Sequence, residues 1–286
     1  MTIGKTRQYP ACGERAMDSR LDKPRGVLRQ RLEQGEFQHA RRAPSPALAA
    51  LIEHYWYVAW DLRGLPPQQQ ETLPHPNVQF VVEPERTGIY GVHSGRFTRL
   101  LEGQGRVFGI KFKAGGFFPF FREPVSGLMD RSLEPCRIFG DDAARYESDI
   151  FASNDMEAMV AAAERLLLTH RPPDDPNVTR VTAMVASIVE DRCLTSVETL
   201  AERNGLTKRA LQRLFHQYVG IGPKWVISRY RLHEAVAQLQ AGTPIDWAEL
   251  ALALGYFDQA HFIRDFRKLV GRTPAEYARV EGKSGD

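Results

Sequence analysis

The sequence predicts an α+β chain, mostly β in its first half with a helical extension, and all-α over its last hundred residues. Three observations predict it. Between about 37 and 135, short apolar or alternating runs such as "HYWYVAW", "NVQFVVE", "GIYGVHS" and "RVFGIKFKAGGFFPFF" are separated by Gly, Pro and Asn. Aromatic and β-branched enrichment between closely spaced turn residues is the pattern of a sheet or barrel. From 141 to 170 the apolar residues recur at three and four, the spacing of a helix. Beyond 178 a helical pattern occurs twice: "LAERNGLTKRALQRLF" at 200–215 returns as "LALALGYFDQAHFIRDF" at 250–266.

Taken in order, residues 1–36 are polar and basic without sustained periodicity and read as a flexible basic arm. Met17 is an alternative start within it. Residues 37–170 form the mostly β module with its helical end. "RPPDDPN" at 171–177 holds three prolines among polar residues, which cannot continue a helix and read as a linker. Residues 178–286 are the all-α domain.

Composition narrows the function. The 286 residues are 43% apolar and 26% charged, ordinary for globular domains and enough for a core in each half. No apolar run reaches membrane-spanning length and the N-terminus lacks a secretory pattern, so a cytoplasmic protein with no membrane partner is expected. Cys12, Cys136 and Cys193 are odd in number and far apart, and read as reduced thiols, neither disulfide nor metal site. The net charge of +3 sits in the last third: residues 178–286 hold 15 Lys and Arg against 12 Asp and Glu, whereas 43–177 hold 13 against 18. The acidic middle is thus a poor nucleic-acid surface.

The repeat explains the basic end. Ala201 and Gly205 recur as Ala251 and Gly255, an offset of 50. A small residue in one helix, a glycine for a left-handed turn and a capped second helix make a helix-turn-helix, here at about 196–218 and 245–270. After the turn the offset becomes 51, so the second turn is one residue longer, and Thr207 and Asp258 take the N-cap positions. Leu211, Leu214, Phe215 and Tyr218 form one apolar face, and Phe262, Phe266 and Leu269 the other. The opposite faces carry Lys208, Arg209, Gln212 and Arg213, and Gln259, His261, Arg264, Arg267 and Lys268. Arg can donate two hydrogen bonds to a guanine edge, Gln can donate one to and accept one from an adenine edge, and cations between them suit phosphates. One such face could be merely solvated; its repetition in the same motif argues for double-stranded DNA. Between the copies, Pro223 opens and Gly242 follows a helix whose Trp225, Val226, Tyr230, Leu232, Ala235, Val236 and Leu239 suit packing on both units. Its ~17 residues span ~25 Å, a strut able to present two recognition helices to major grooves one duplex turn, ~34 Å, apart.

Residues 180–281 resemble the DNA-binding domain of the AraC/XylS family of bacterial transcription regulators. "SVETLAERNGLTKRALQRLFHQYVGIGPKWVISRYRLHEAVAQL" is similar to its first helix-turn-helix and connecting helix, and "IDWAELALALGYFDQAHFIRDFRKLVGRTPAEYAR" to its second. The resemblance implies base reading by Arg209, Gln212 and Arg213 and by Gln259, Ala260, Ile263 and Arg264. Ala260 and Ile263 depart from the polar residues often found there and could only touch a thymine methyl. Thr207, Lys208, Lys224, His261 and Lys268 are the phosphate-side candidates. "PSPALAALIEHYWYVAWDL", "LPHPNVQFVVE" and "GQGRVFGIKFKAGGFFPFF" resemble the domain of unknown function that precedes such DNA-binding domains in some members. That implies a sensor of a small-molecule effector or a homodimerisation module, with RNA polymerase a further partner of a regulator so organised. No cofactor is implied.

Other readings of the first module are weaker. His39, His54, His75 and His93 with Glu83 and Glu102 match no metal-ligand spacing, and His75 in "LPHPN" suits a turn. Tyr55, Trp56, Tyr57 and Trp60 could line a ligand cavity, but aromatics on a strand are more often packing. "AGGFFPFF" lacks a phosphate-loop lysine and reads as a turn between strands. Two other classes stay open for the whole chain: an architectural DNA binder without sensing, or a repair or methyl-transfer protein carrying this domain. The latter needs a reactive cysteine or a metal cluster, a context that the three cysteines do not supply.

Overall fold

A computed structural model describes residues 35–240 and 246–281. The basic arm apart from its last two residues, Met17, Cys12 and Gly242 lie outside the described residues. The two expected halves are present, a β-rich N-terminal region and a helical C-terminal one.

Among the described residues eight strands precede the long helices: β1 Glu36–Arg42, β2 Ile52–Leu62, β3 Gln68–Thr72, β4 Gln79–Val82, β5 Gly88–Tyr90, β6 Phe97–Leu101, β7 Gly103–Phe112 and β8 Ser132–Leu133. Six make one sheet in the order β1-β2-β7-β4-β5-β8, and β3 pairs with β6 in a separate ribbon. Every pairing is antiparallel. Alternation puts one row of side chains on the inner face: Tyr55 opposite Ile110, Ile110 opposite Phe80, Phe80 opposite Ile89 and Ile89 opposite Leu133. All five are buried. Trp56 and Trp60 lie on the other face, flat against the backbone of Gly109 and Gly105, where a Cβ would come within 2.2 Å of either indole. The aromatic cluster is therefore divided between the two faces by packing.

Short helices α1 Phe118–Phe121 and α2 Cys136–Phe139 flank a 3-10 turn, Val125–Leu128. "AGGFFPFF" thus leads from β7 into α1, and the expected turn between strands is corrected: a proline near the start of "FPFF" favours a helical first turn. The helical extension is a hairpin of α3, Asp142–Ala152, and α4, Met156–Thr169, whose Tyr146 meets Phe80 edge-on at 5.1 Å. Residues 170–175 are irregular, and α5 (Pro176–Glu190) begins on a proline, so Pro176 and Asn177 belong to a helix rather than a linker. Pro at the first helical position gives up only an N–H that would be unpaired anyway. The remaining helices are α6 Val197–Arg203, α7 Lys208–Tyr218, α8 Pro223–Gln240, α9 Trp247–Ala253, α10 Gln259–Val270 and α11 Pro274–Glu281.

The main apolar core does not stop at the expected boundary. It runs from Tyr55 and Phe80 through Phe117 and Val125 to Val181, Leu200, Phe215 and Val226. Phe118 and Tyr218 approach to 4.1 Å between ring centres, and Thr182 Oγ1 donates to the Ala114 carbonyl at 3.0 Å. Sequence separates the halves at 171–177, yet packing joins α5, α6 and α7 to the sheet.

Candidate nucleic-acid interface

Both repeats are built by the same local bonds. In the first, Gly205 has φ +61°, Gly205 N donates to Glu202 O at 3.1 Å and Leu206 N to Ala201 O at 3.0 Å. In the second, Gly255 has φ +79°, Gly255 N donates to Leu252 O at 3.0 Å and Tyr256 N to Ala251 O at 2.9 Å. This paired closure of a helix end requires a left-handed residue, which glycine supplies without strain. Thr207 Oγ1 accepts from Ala210 N at 3.2 Å and Asp258 Oδ1 from His261 N at 2.7 Å, so both N-caps act as the sequence predicts. The first helix of each unit is capped too, α6 by Ser196 and α9 by Asp246.

Burial then sorts the faces. Leu211, Phe215 and Tyr218 are buried in α7, and Phe262 and Phe266 in α10; Leu214 and Leu269 are half-buried against the same cores. Thr207, Lys208, Arg209, Gln212 and Arg213 are exposed on one recognition helix. Gln259, Ala260, His261, Arg264 and Lys268 are exposed on the other, while Ile263 is half-buried against the second core. Among the described residues no carboxylate lies within ion-pair distance of Arg209, Arg213 or Arg264. Their guanidinium groups remain available to a ligand.

Between the two units runs a groove of about 520 Å³ lined by Lys208, Gln212, Lys224, Phe257, His261 and Asp265 among others. It gathers three phosphate-side candidates from three different helices. Two of them meet acids: the Lys208 ammonium bonds the Glu198 carboxylate, which holds that carboxyl below its usual range, and His261 Nε2 lies 3.7 Å from Asp265 Oδ2. A polyanion entering the groove competes with both acids, which favours salt-sensitive binding. Phe257 was not singled out from sequence and is 89% exposed. It follows Tyr256 in the turn before α10, and of the two Tyr256 is the buried one.

Arg229 and Arg231 on α8 were also missed, because the connecting helix was read by its apolar residues. Both are buried. Arg231 Nη2 donates to Ile188 O at 2.6 Å and Asp191 O at 2.8 Å, where α5 ends and carbonyls lack helical partners. Arg229 faces the N-terminal domain.

The other candidate features stay apart from one another among the described residues. Cys136 and Cys193 are free and exposed, and among the described residues no three His, Cys, Asp or Glu side chains gather as a metal site. No helix among them is long and apolar enough to cross a membrane. His54 is buried beside Lys111, Arg41 and His39; burial first and then those charges pull its pKa to about 3, so it is a neutral packing residue at ordinary pH. An open depression of about 610 Å³ on the sheet, lined by Tyr57, Trp60, Arg106 and Asn154 among others, lies away from the recognition helices.

Comparison with known proteins matches two separate stretches of the chain. A helix-turn-helix domain family matches residues 200–279, and a domain of unknown function (DUF6597) matches residues 40–134. The regulatory protein SoxS of Salmonella typhimurium is 34% identical over 86 residues, 29% of this chain and 76% of that protein. An uncharacterized HTH-type transcriptional regulator of Haemophilus influenzae is 28% identical over 98 residues, 34% of this chain. This chain spans only 33% of that protein's length. The crystal structure of ToxT from Vibrio cholerae O395 aligns with 85% of this chain and 96% of its own at 10% identity and a TM-score of 0.36, a likeness too remote to bear on ligand or activity.

Proposed function

Since the chain belongs to the AraC family of transcription regulators, we propose that it binds promoter DNA sequence-specifically and regulates transcription there. The observation that carries the reading is the duplicated recognition helix: α7 and α10 each turn unpaired arginine and glutamine to solvent on a unit closed by the same bonds. Arg209, Gln212 and Arg213 read one half-site. Gln259, Ala260, Ile263 and Arg264 read the other, with the two apolar residues confined to thymine methyls. Thr207, Lys208, Lys224, His261 and Lys268 hold phosphates, three of them along the groove between the units. The N-terminal domain senses a small-molecule effector or joins two copies of the chain, and RNA polymerase is the downstream partner, in the cytoplasm.

Selection of a randomised duplex library by the full-length protein tests this. The expected result is enrichment of two short elements ~10 base pairs apart. Arg213→Ala is expected to cost ~1–3 kcal/mol on the selected site and to relax one base pair. Failure to enrich any sequence overturns the reading; equal loss by Arg213→Ala on random DNA reassigns that side chain to a phosphate.

A further inference from the structure

The two helix-turn-helix units do not share a core. Leu211, Phe215 and Tyr218 belong to the apolar cluster that continues into the sheet, whereas Phe262, Phe266 and Val270 sit in a separate one with Leu250 and Tyr277. Helix α8 joins them, contributing Val226 and Ile227 to the first cluster and Leu232, Ala235, Val236 and Leu239 to the second. The first unit is therefore part of the N-terminal domain's own packing. The second is attached through α8, through the close approach of Gly255 to Thr195 beside the first unit, and through contacts made by two segments of that domain.

One segment is Leu73, which is 1% exposed inside the second core. The other is the loop between β5 and β6. Arg96 Nη1 in this loop donates to Val270 O at 3.0 Å, and Val270 is the last residue of α10, where carbonyls have no helical partner and a cation is favoured. Gly271 then turns with φ +83°, and a Cβ there would come within 2.3 Å of Arg96 Nη1, so the guanidinium is seated on the helix end. Glu71 on β3, 3.2 Å away, orients it. The loop is itself held: Asp130 Oδ1 accepts from Ser94 N at 2.7 Å and meets His93 Nδ1 at 2.8 Å. The Ser94 carbonyl accepts from Trp225 Nε1 at 3.2 Å and from Arg229 Nη2 at 2.6 Å, both on α8. One short loop of the N-terminal domain thus grips the connecting helix and the end of the second recognition helix together.

We propose that Arg96 is a positioning residue for DNA reading, through which the N-terminal domain sets the separation and angle of the two recognition helices and hence the half-site spacing the protein accepts. The proposal rests on the DNA-reading function above. Because the units have separate cores, bending of α8 would change their separation without breaking either one. A contact from the first unit's rigid body to the tip of α10 removes that freedom.

The test is binding of the full-length protein to duplexes in which the two selected elements are moved closer or farther by one and two base pairs, beside a duplex with the first element alone. The wild type is expected to lose about tenfold in affinity or more at two base pairs from its optimum, the scale of a mismatched site. Arg96→Ala is expected to bind the first element alone as the wild type does, but to lose less than about threefold across the spacing series. Arg96→Lys, which can still donate to Val270 O, is expected to fall between them. A wild-type profile that is already flat, an Arg96→Ala profile that superimposes on a peaked wild type, or an equal loss on the first element alone overturns the proposal. A wild type with no preference for either element overturns the DNA reading itself, and the spacing proposal with it.

Discussion

Replacing Arg229 by methionine and, separately, by alanine tests what holds α8 against the N-terminal domain. The side chain is 1% exposed and pairs with no carboxylate among the described residues. Its Nη2 reaches Ser94 O at 2.6 Å and Gly95 O at 3.4 Å, its guanidinium lies 4.3 Å from the centre of the Trp225 ring, and its Nε meets no acceptor. Burial draws its pKa from 12.5 to about 10, which amounts to roughly 3 kcal/mol against the charged form. Opposing this, hydrogen bonds from a charged donor are worth ~1.5–3 kcal/mol and a desolvated cation over an aromatic ring up to ~2 kcal/mol. The terms nearly cancel. Methionine fills similar space without the charge, so Arg229→Met is expected to shift the unfolding free energy by no more than ~1 kcal/mol. Alanine removes the same charge and leaves a hole, and is expected to cost ~3 kcal/mol. Urea titration followed by tryptophan fluorescence reads both, since Trp225 lies in the contact. A methionine variant as unstable as the alanine one would refute the reasoning, because the charge would then be stabilising in spite of its burial.

Three further outcomes are expected. His54 has a folded pKa of about 3, below its ordinary 6.5, so between those values the unfolded chain binds a proton that the folded one does not. Stability should therefore fall by ~2 kcal/mol from pH 7 to pH 5 on account of this residue; His54→Gln should flatten the urea midpoints over that range, and parallel slopes would deny it. Gly255→Ala meets both a φ of +79° and the Thr195 side chain at 2.5 Å, whereas Gly205→Ala meets φ +61° with open space around it. Thermal unfolding should show ~1 kcal/mol lost at Gly205 and clearly more at Gly255; equal losses would mean the close approach to Thr195 relaxes freely. Asp258→Ala removes the acceptor for His261 N and should cost ~1 kcal/mol, measured by denaturation.

Much of this was legible in the chain because it is local. The glycine turns, the caps Thr207 and Asp258 and the exposed arginines each depend on residues within one or two helical turns, so spacing alone identifies them. Arg96, Arg229 and Arg231 were not legible, since a charged residue in a helix or loop ordinarily faces water and only its neighbours reveal otherwise. The start of α5 was misplaced for a related reason: "RPPDDPN" contains two prolines that break structure and one that begins it, and the difference lies in Asp175. Its carboxylate caps Asn177 N at 2.9 Å and accepts from Tyr218 Oη at 2.7 Å, a tie to a residue more than forty positions away.

By itself the sequence determined the order of β and α segments, the duplicated unit and the polar face each copy turns outward. Those properties follow from side-chain period and backbone preference over a few residues. Only the tertiary structure decided that β7 lies between β2 and β4, that the first unit shares a core with the sheet while the second does not, and that one loop bonds to both α8 and α10. The contacts responsible, Arg96 to Val270 and Trp225 to Ser94, join positions 174 and 131 residues apart. No periodicity records such pairs: burying a guanidinium against carbonyls depends on the shape of the assembled chain, which local spacing does not encode.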